Sequence, residues 1–149
     1  MEIKPVAKPE RTERLVEELA RLWEASVRPT YAFLSETDVV DLRPEVRAGL
    51  AAIDCLAVAF DDEAHVIGFV GVEGDKVEML FVAPEAFGAG VGRKLLERAT
   101  RELGARKLDV NEGNPGARGF YEHLGFEVVG RSEVDDQGRP FPLLHMELR

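Results

Sequence analysis

A chain of 149 residues with 45% hydrophobic and 32% charged side chains can bury a real core, and it lies within the usual size of one domain rather than two. Its formal charge of -9 argues against a nucleic-acid partner, because phosphate backbones are gripped by clustered Lys and Arg, and no basic stripe is present. No stretch approaches the ~20 apolar residues of a membrane span, and Met1 is not followed by a basic and then an apolar run, so a cytoplasmic protein with no membrane partner is expected.

Ile3 to Ala7 reads as a short edge strand, since Pro5 has no N–H to give a central ladder. Thr12 caps a helix over Glu13 to Ala25, on which Leu15, Leu19, Leu22 and Trp23 recur at helical spacing, and Pro29 ends it. Between Ser26 and Ser35, Tyr31, Phe33 and Leu34 sit among polar groups that could border a pocket. A second helix is expected from Pro44 to Ile53, after a turn at Asp41-Leu42-Arg43. Cys55, flanked by apolar residues, is expected to be a buried small side chain. A single cysteine cannot form an internal disulfide, no Cys/His cluster has zinc spacing, and no metal is expected.

Leu56 to Phe60 and His65 to Val72 form a hairpin about Asp61-Asp62-Glu63. Lys76 to Val82 comes after a turn at Gly74 and alternates, with Glu78, Leu80 and Val82 on one face and Val77, Met79 and Phe81 on the other. A helix carrying Val91, Leu95, Leu96, Ala99 and Leu103 closes at Gly104. The right-handed crossover then sets the strand Lys107 to Val110 parallel to the one ending at Val82. A last helix runs from Asn114 to Leu124. The strands Phe126 to Val129 and Leu143 to Leu148, joined through Asp135-Asp136-Gln137-Gly138, complete an α/β fold.

The chemistry concentrates after Val82. Phe87-Gly88-Ala89-Gly90-Val91-Gly92-Arg93-Lys94 places three alternate glycines between a strand and a helix, the outline of an anion site: successive N–H groups can point at one oxygen cluster, and the helix start adds roughly half a positive charge. A nucleotide P-loop is excluded, because Gly92 is followed by Arg93-Lys94-Leu95 with no hydroxyl for magnesium. The glycines also fit a GxGxxG dinucleotide fingerprint poorly, since they are spaced GxGxG. A glycine-rich turn without a ligand is the plainer alternative.

Leu80-Phe81-Val82-Ala83-Pro84 with Gly88-Ala89-Gly90-Val91-Gly92 resembles the acetyl-CoA motif of the GCN5-related N-acetyltransferases. The segment from Asn111 through Asn114, Ala117 and Tyr121 to Gly125-Phe126 is similar to the stretch that the family carries after that motif. The resemblance covers nearly the whole chain and is closest to short bacterial members. It implies a mixed, mostly antiparallel sheet of six or seven strands with one splayed parallel pair, acetyl-CoA as cosubstrate, and transfer to a primary amine of a small molecule, an amino acid or a protein. A non-catalytic acyl-CoA sensor or scaffold is the other function the fold allows. Phe87 stands where the family usually has Arg or Gln, and Tyr31 where its closest subgroup has His.

The resemblance assigns cofactor contacts to Leu80, Phe81, Val82, Phe87, Gly88, Ala89, Gly90, Val91, Gly92, Arg93, Asn114 and Tyr121. The pantetheine arm would lie along Leu80 to Val82 as an added strand. An alkyl amine of pKa ~10.4 costs roughly 4.6 kcal/mol to neutralise at pH 7, so a base or a water relay is useful. Glu78 matches the position of a catalytic Glu in some members, with His123 and His145 as weaker candidates and packing the expected role of His145. Tyr121, a phenol still protonated at neutral pH, would give its proton to the departing thiolate. Ser26, Tyr31, Phe33 and the turn at Gly138-Arg139-Pro140 are offered as acceptor-site lining. The sequence leaves monomer and homodimer both open.

Overall fold

The computed structural model describes residues 1–31 and 33–149, so Ala32, inside the expected Ser26 to Ser35 stretch, lies outside the described residues. The chain divides into two compact units, Met1–Ala105 and Arg106–Arg149.

In the first unit β1 (Glu2–Pro5), β2 (Cys55–Phe60), β3 (Val66–Glu73) and β4 (Lys76–Val82) pair consecutively and antiparallel. β1 takes the edge, as Pro5 requires. Cys55 opens β2 half-buried, not fully buried as expected, because it is the first residue of the strand rather than its centre.

Two helices exceed their expected limits. α1 runs Glu13–Thr30, with the Thr12 side chain accepting from the Leu15 N–H at 3.1 Å and with Leu19, Leu22, Trp23 and Val27 buried. Pro29 does not stop it, since in the last turn only one donor is lost and the Tyr31 N–H still reaches the Val27 carbonyl at 2.8 Å. α2 runs Glu36–Ala52, so Asp41-Leu42-Arg43 is helical rather than a turn. Ser35 and Asp38 form a reciprocal capping box at 3.1 and 2.9 Å, which nucleates the helix upstream of Pro44. Arg11 secures its far end, donating to the carbonyls of Leu50 at 3.2 Å and Ile53 at 2.6 Å. α3 spans Val91–Glu102, and Gly104, at φ +75, comes after it as expected.

Two glycines of β3 let helices press on both faces of the sheet. A Cβ at Gly68 would stand 2.9 Å from Leu95 of α3, and one at Gly71 would stand 2.7 Å from Ile53 beyond α2. The main core lies on the Gly71 face, where Leu19, Trp23, Leu50 and Phe69 are buried.

In the second unit β7 (Leu143–Leu148) lies between β5 (Lys107–Asn111) and β6 (Phe126–Ser132), antiparallel to both, with α4 (Pro115–His123) packed on β6. β6 extends past its expected end at Val129, because a bulge between Val128 and Gly130 absorbs the irregularity and pairing resumes to Ser132. Among the described residues, seven strands and four longer helices give the expected α/β class, with antiparallel pairing inside each unit.

Candidate active site

The glycine loop is shaped by backbone conformation, not by crowding. After β4, Ala83 leads into one 3-10 turn, Pro84–Ala86. Phe87 comes next, Gly88 sits at φ +80, and Gly90, at φ +82, is the N-cap of α3. Nothing lies within 4 Å of a Cβ built on Gly88 or Gly90, so the left-handed backbone is the feature that requires glycine there, and the loop opens outward. Gly92 plays a different part from the other two, inside the first turn of α3. No side chain caps Gly90. The first N–H groups of α3 therefore face outward at the positive end of its dipole, the arrangement that a diphosphate fits.

Around this loop the residues divide by burial. Val91 is buried and anchors the helix, whereas Phe87, Gly88, Ala89 and Gly90 are exposed. Arg93 donates to Glu97 at 3.0 Å, which turns its guanidinium along α3. Leu80, Phe81 and Val82 are half-buried at the end of β4.

The strict alternation expected for β4 is broken at Glu78. Gly71 pairs with Met79 and Val72 with Val77, so Glu78 is the extra residue of a bulge. Val77 consequently shares the face of Leu80 and Val82, not that of Met79 and Phe81. The Glu78 side chain is 37% exposed, with the Lys76 Nζ 3.8 Å from its Oε1.

In the second unit Asn114 caps α4 and Tyr121 lies within it. The Asn114 side chain is nearly buried and accepts from the Ala117 N–H at 3.1 Å, so its capping role is observed directly. Tyr121 is half-buried, its ring edge-on to Phe126 with centroids 6.1 Å apart. Phe120 is half-buried, its ring edge-on to Tyr121 with centroids 5.3 Å apart. His123 is exposed at the helix end.

His145 is not the packing residue expected. Its Nδ1 lies 2.6 Å from Asp109 Oδ1 and its Nε2 lies 2.6 Å from Ser132 Oγ. The sequence motifs single out neither Ser132 nor Asp109. The one available signal was the polar Asp109 and His145 interrupting two apolar strands.

Of the proposed acceptor residues, Tyr31 and Phe33 stack at 5.4 Å. Tyr31 also lines a cavity of about 110 Å³ with Val27, Arg28, Leu34, Ser35 and Glu36. Ser26 is buried within α1, outside that lining. Beside the cavity, Glu24 links Arg43 and Arg28, and Arg28 also holds Glu36. Hydrogen bonding from Arg43 first, then from Arg28, lowers the Glu24 carboxyl from 4.5 to about 2. Among the described residues no group of three or more His, Cys, Asp or Glu could hold a metal ion, and no helix is long and apolar enough to cross a membrane.

Comparison with known proteins agrees with this layout. The family model for the acetyltransferase (GNAT) domain matches residues 52–128, which contain β4, the glycine loop and α4. The peptidyl-lysine N-acetyltransferase YjaB of Escherichia coli K12 is 42% identical over 130 residues, covering 87% of this chain and 88% of the relative. The solution structure of apo-form YjaB from Escherichia coli superposes with a TM-score of 0.82 at 37% identity, covering 99% of this chain and 97% of that one. A putative streptothricin acetyltransferase from Bacillus anthracis, in complex with acetyl coenzyme A, shares the fold over 64% of this chain and 61% of its own, at a TM-score of 0.56 and 20% identity. The chain belongs to the GNAT family, the acetyl-CoA-dependent N-acetyltransferases.

Proposed function

We propose that residues 1–149 act as one N-acyltransferase domain that moves the acetyl group of acetyl-CoA onto the ε-amine of a lysine side chain in a protein. The observation that carries the cofactor half of this reading is the N-terminus of α3, left uncapped by any side chain behind two left-handed glycines. Support for the acceptor half is the peptidyl-lysine activity named for the relative at 42% identity.

In this reading Gly88, Ala89, Gly90, Val91 and Gly92 give their N–H groups to the pyrophosphate, Phe87 and Arg93 border it, and Asn114 contacts the cofactor while capping α4. Leu80, Phe81 and Val82 hold the pantetheine amides by strand-like hydrogen bonds. Glu78, the extra residue of the β4 bulge, takes a proton from the attacking nitrogen as the C–N bond forms. Tyr121 returns a proton to the sulfur as the C–S bond breaks. Tyr31 and Phe33 flank the acceptor, with Ser26 supporting them from within α1. The domain works in the cytoplasm, as a monomer or homodimer.

The test is release of free coenzyme A from acetyl-CoA with lysine peptides and a panel of small amines, alongside calorimetric titration of acetyl-CoA. Lysine-dependent thiol release is expected. Binding of acetyl-CoA without amine-dependent release would convert the assignment to a sensor, and absence of binding would remove the loop assignment.

A further inference from the structure

Acetylating an ammonium group takes two protons from nitrogen, one before attack and one as the new bond forms. One proton goes to the thiolate, and the other leaves to solvent. In the acyltransfer reading, Glu78 and Tyr121 account for one removal and the one donation. The removal that precedes attack sends its proton to water, directly or through another protein acceptor.

The second unit contains a group with the chemistry to serve. Asp109 and His145 are directly paired across β5 and β7, so their side chains share a face of the sheet. A carboxylate only accepts, so in the neutral ring the proton belongs to Nδ1, 2.6 Å from Asp109 Oδ1. That leaves the Nε2 lone pair to accept from the Ser132 hydroxyl at 2.6 Å. The imidazole can take a proton at Nε2 and keep both partners, donating to each.

The fold is arranged to make this row. On β6 a regular alternation from Phe126 would turn Ser132 to the face of Phe126 and Met146, away from His145. The bulge reverses the alternation, leaves Val129 55% exposed, and sets Gly130 opposite His145. A Cβ on Gly130 would stand 3.4 Å from His145 Cδ2, so glycine leaves the ring room to lie across β6 toward Ser132. α4 packs through Tyr121 against Phe126 on the opposite face. Ser132 ends β6 beside the turn that carries Gly138, Arg139 and Pro140. The Asp109 side chain is 15% exposed and that of His145 36%, which gives the ring a path to water. Charged groups sharing this face include Lys107 and Glu147, 3.9 Å apart, and Glu127, held by Arg149, while Arg131 is engaged by Glu112 and Glu133.

Resting on the acyltransfer reading, we infer that Ser132, His145 and Asp109 form the acceptor for the first proton of the incoming ammonium. The nitrogen's N–H bond breaks as Ser132 Oγ takes the proton, and the hydroxyl's own proton passes to His145 Nε2. Ammonium becomes amine and imidazole becomes imidazolium beside Asp109, which then returns its proton to water. Ser132 touches the substrate, and Asp109 is a positioning residue acting through the ring.

Raising the pH supplies the free amine without the protein, about tenfold more per unit below the amine pKa, and this makes the role separable from a structural one. Rates of lysine-peptide acetylation are measured from pH 6.5 to 9.5 for wild type, His145→Gln, Ser132→Ala and Asp109→Asn, with the acetyl-CoA Kd alongside. At pH 7, His145→Gln is expected to lose about tenfold or more in kcat and Ser132→Ala about threefold or more, with both deficits shrinking toward pH 9.5 and Kd unchanged. Asp109→Asn should lower kcat with little change in KM. A His145→Gln deficit of equal size at every pH, or no deficit, overturns the inference. If that variant does not fold, Ser132→Ala, which removes a single oxygen, decides by the same pH criterion. A wild type that binds acetyl-CoA but acetylates no amine sinks the acyltransfer reading, and this one with it.

Discussion

Tyr121 is the residue whose loss should separate chemistry from binding. Its ring rests against Phe126, and phenylalanine keeps that packing while removing only the hydroxyl. Tyr121→Phe is expected to lower kcat at least about tenfold with little change in acetyl-CoA Kd; stopped thiol release with unchanged calorimetry is the signature, and an unaltered rate removes the assignment. Legibility in the sequence was uneven at this scale. Tyr121 and Asn114 stand in one helical segment, so their register could be read along the chain. Asp109, Ser132 and His145 come from three strands. Their meeting depends on a one-residue bulge at Val129 that reverses which face Ser132 presents, and a register shift of that kind leaves no local mark.

Among the elements, the glycine loop makes the sharpest prediction. Gly90 and Gly104 have nearly the same left-handed backbone, at φ +82 and +75, and equally open surroundings, one at each end of α3. Valine at either position should destabilise the fold by about 1–2 kcal/mol. Only Gly90→Val should weaken acetyl-CoA binding, by about fivefold or more, as read by calorimetry beside thermal melts. Equal loss of affinity in both variants would show that α3 stability, not loop shape, governs binding.

The α1 and α2 junction carries a pH prediction. The Glu24 carboxyl is held near 2 in the fold by Arg43 and Arg28, against 4.5 ordinarily, so folding favours its ionised form. Its contribution is fully present above about 4.5 and fades as pH falls toward 2. Screening limits it to about 1 kcal/mol. Glu24→Gln should be less stable than wild type at neutral pH and nearly equal to it at pH 2.5 in urea melts; parallel curves would deny the linkage. The two helix limits misjudged from sequence belong to this junction. Pro29 and Pro44 read as breaks, yet one falls in a last turn and the other lies downstream of a capping box strong enough to start the helix at Glu36. The limits of β4 and β7 were legible to the residue, β4 between the turn at Gly74 and Pro84, although the bulge at Glu78 that breaks its alternation was not.

For the whole molecule, the -9 charge acts differently on the two reactants. It attracts a lysine-bearing peptide and mildly repels an anionic cofactor, and both effects fall off beyond ~8 Å at physiological ionic strength. Between 20 and 300 mM salt, KM for a basic peptide should therefore rise about two- to fivefold, while the acetyl-CoA Kd holds steady or tightens. A cofactor affinity that falls steeply with salt would point instead to capture by a cationic patch, contrary to a loop whose donors are main-chain groups and whose Arg93 is turned to Glu97.

β1 closes the series of strands with Glu2, Lys4 and a ring-locked Pro5 along its rim. A neighbouring molecule trying to dock a strand there meets alternating charges and a missing donor, so cross-strand polymerisation is blocked at its first step. The protein should accordingly tolerate concentration well, and Pro5→Val with Lys4→Val is the pair of changes expected to turn a clear solution into a fibrillising one.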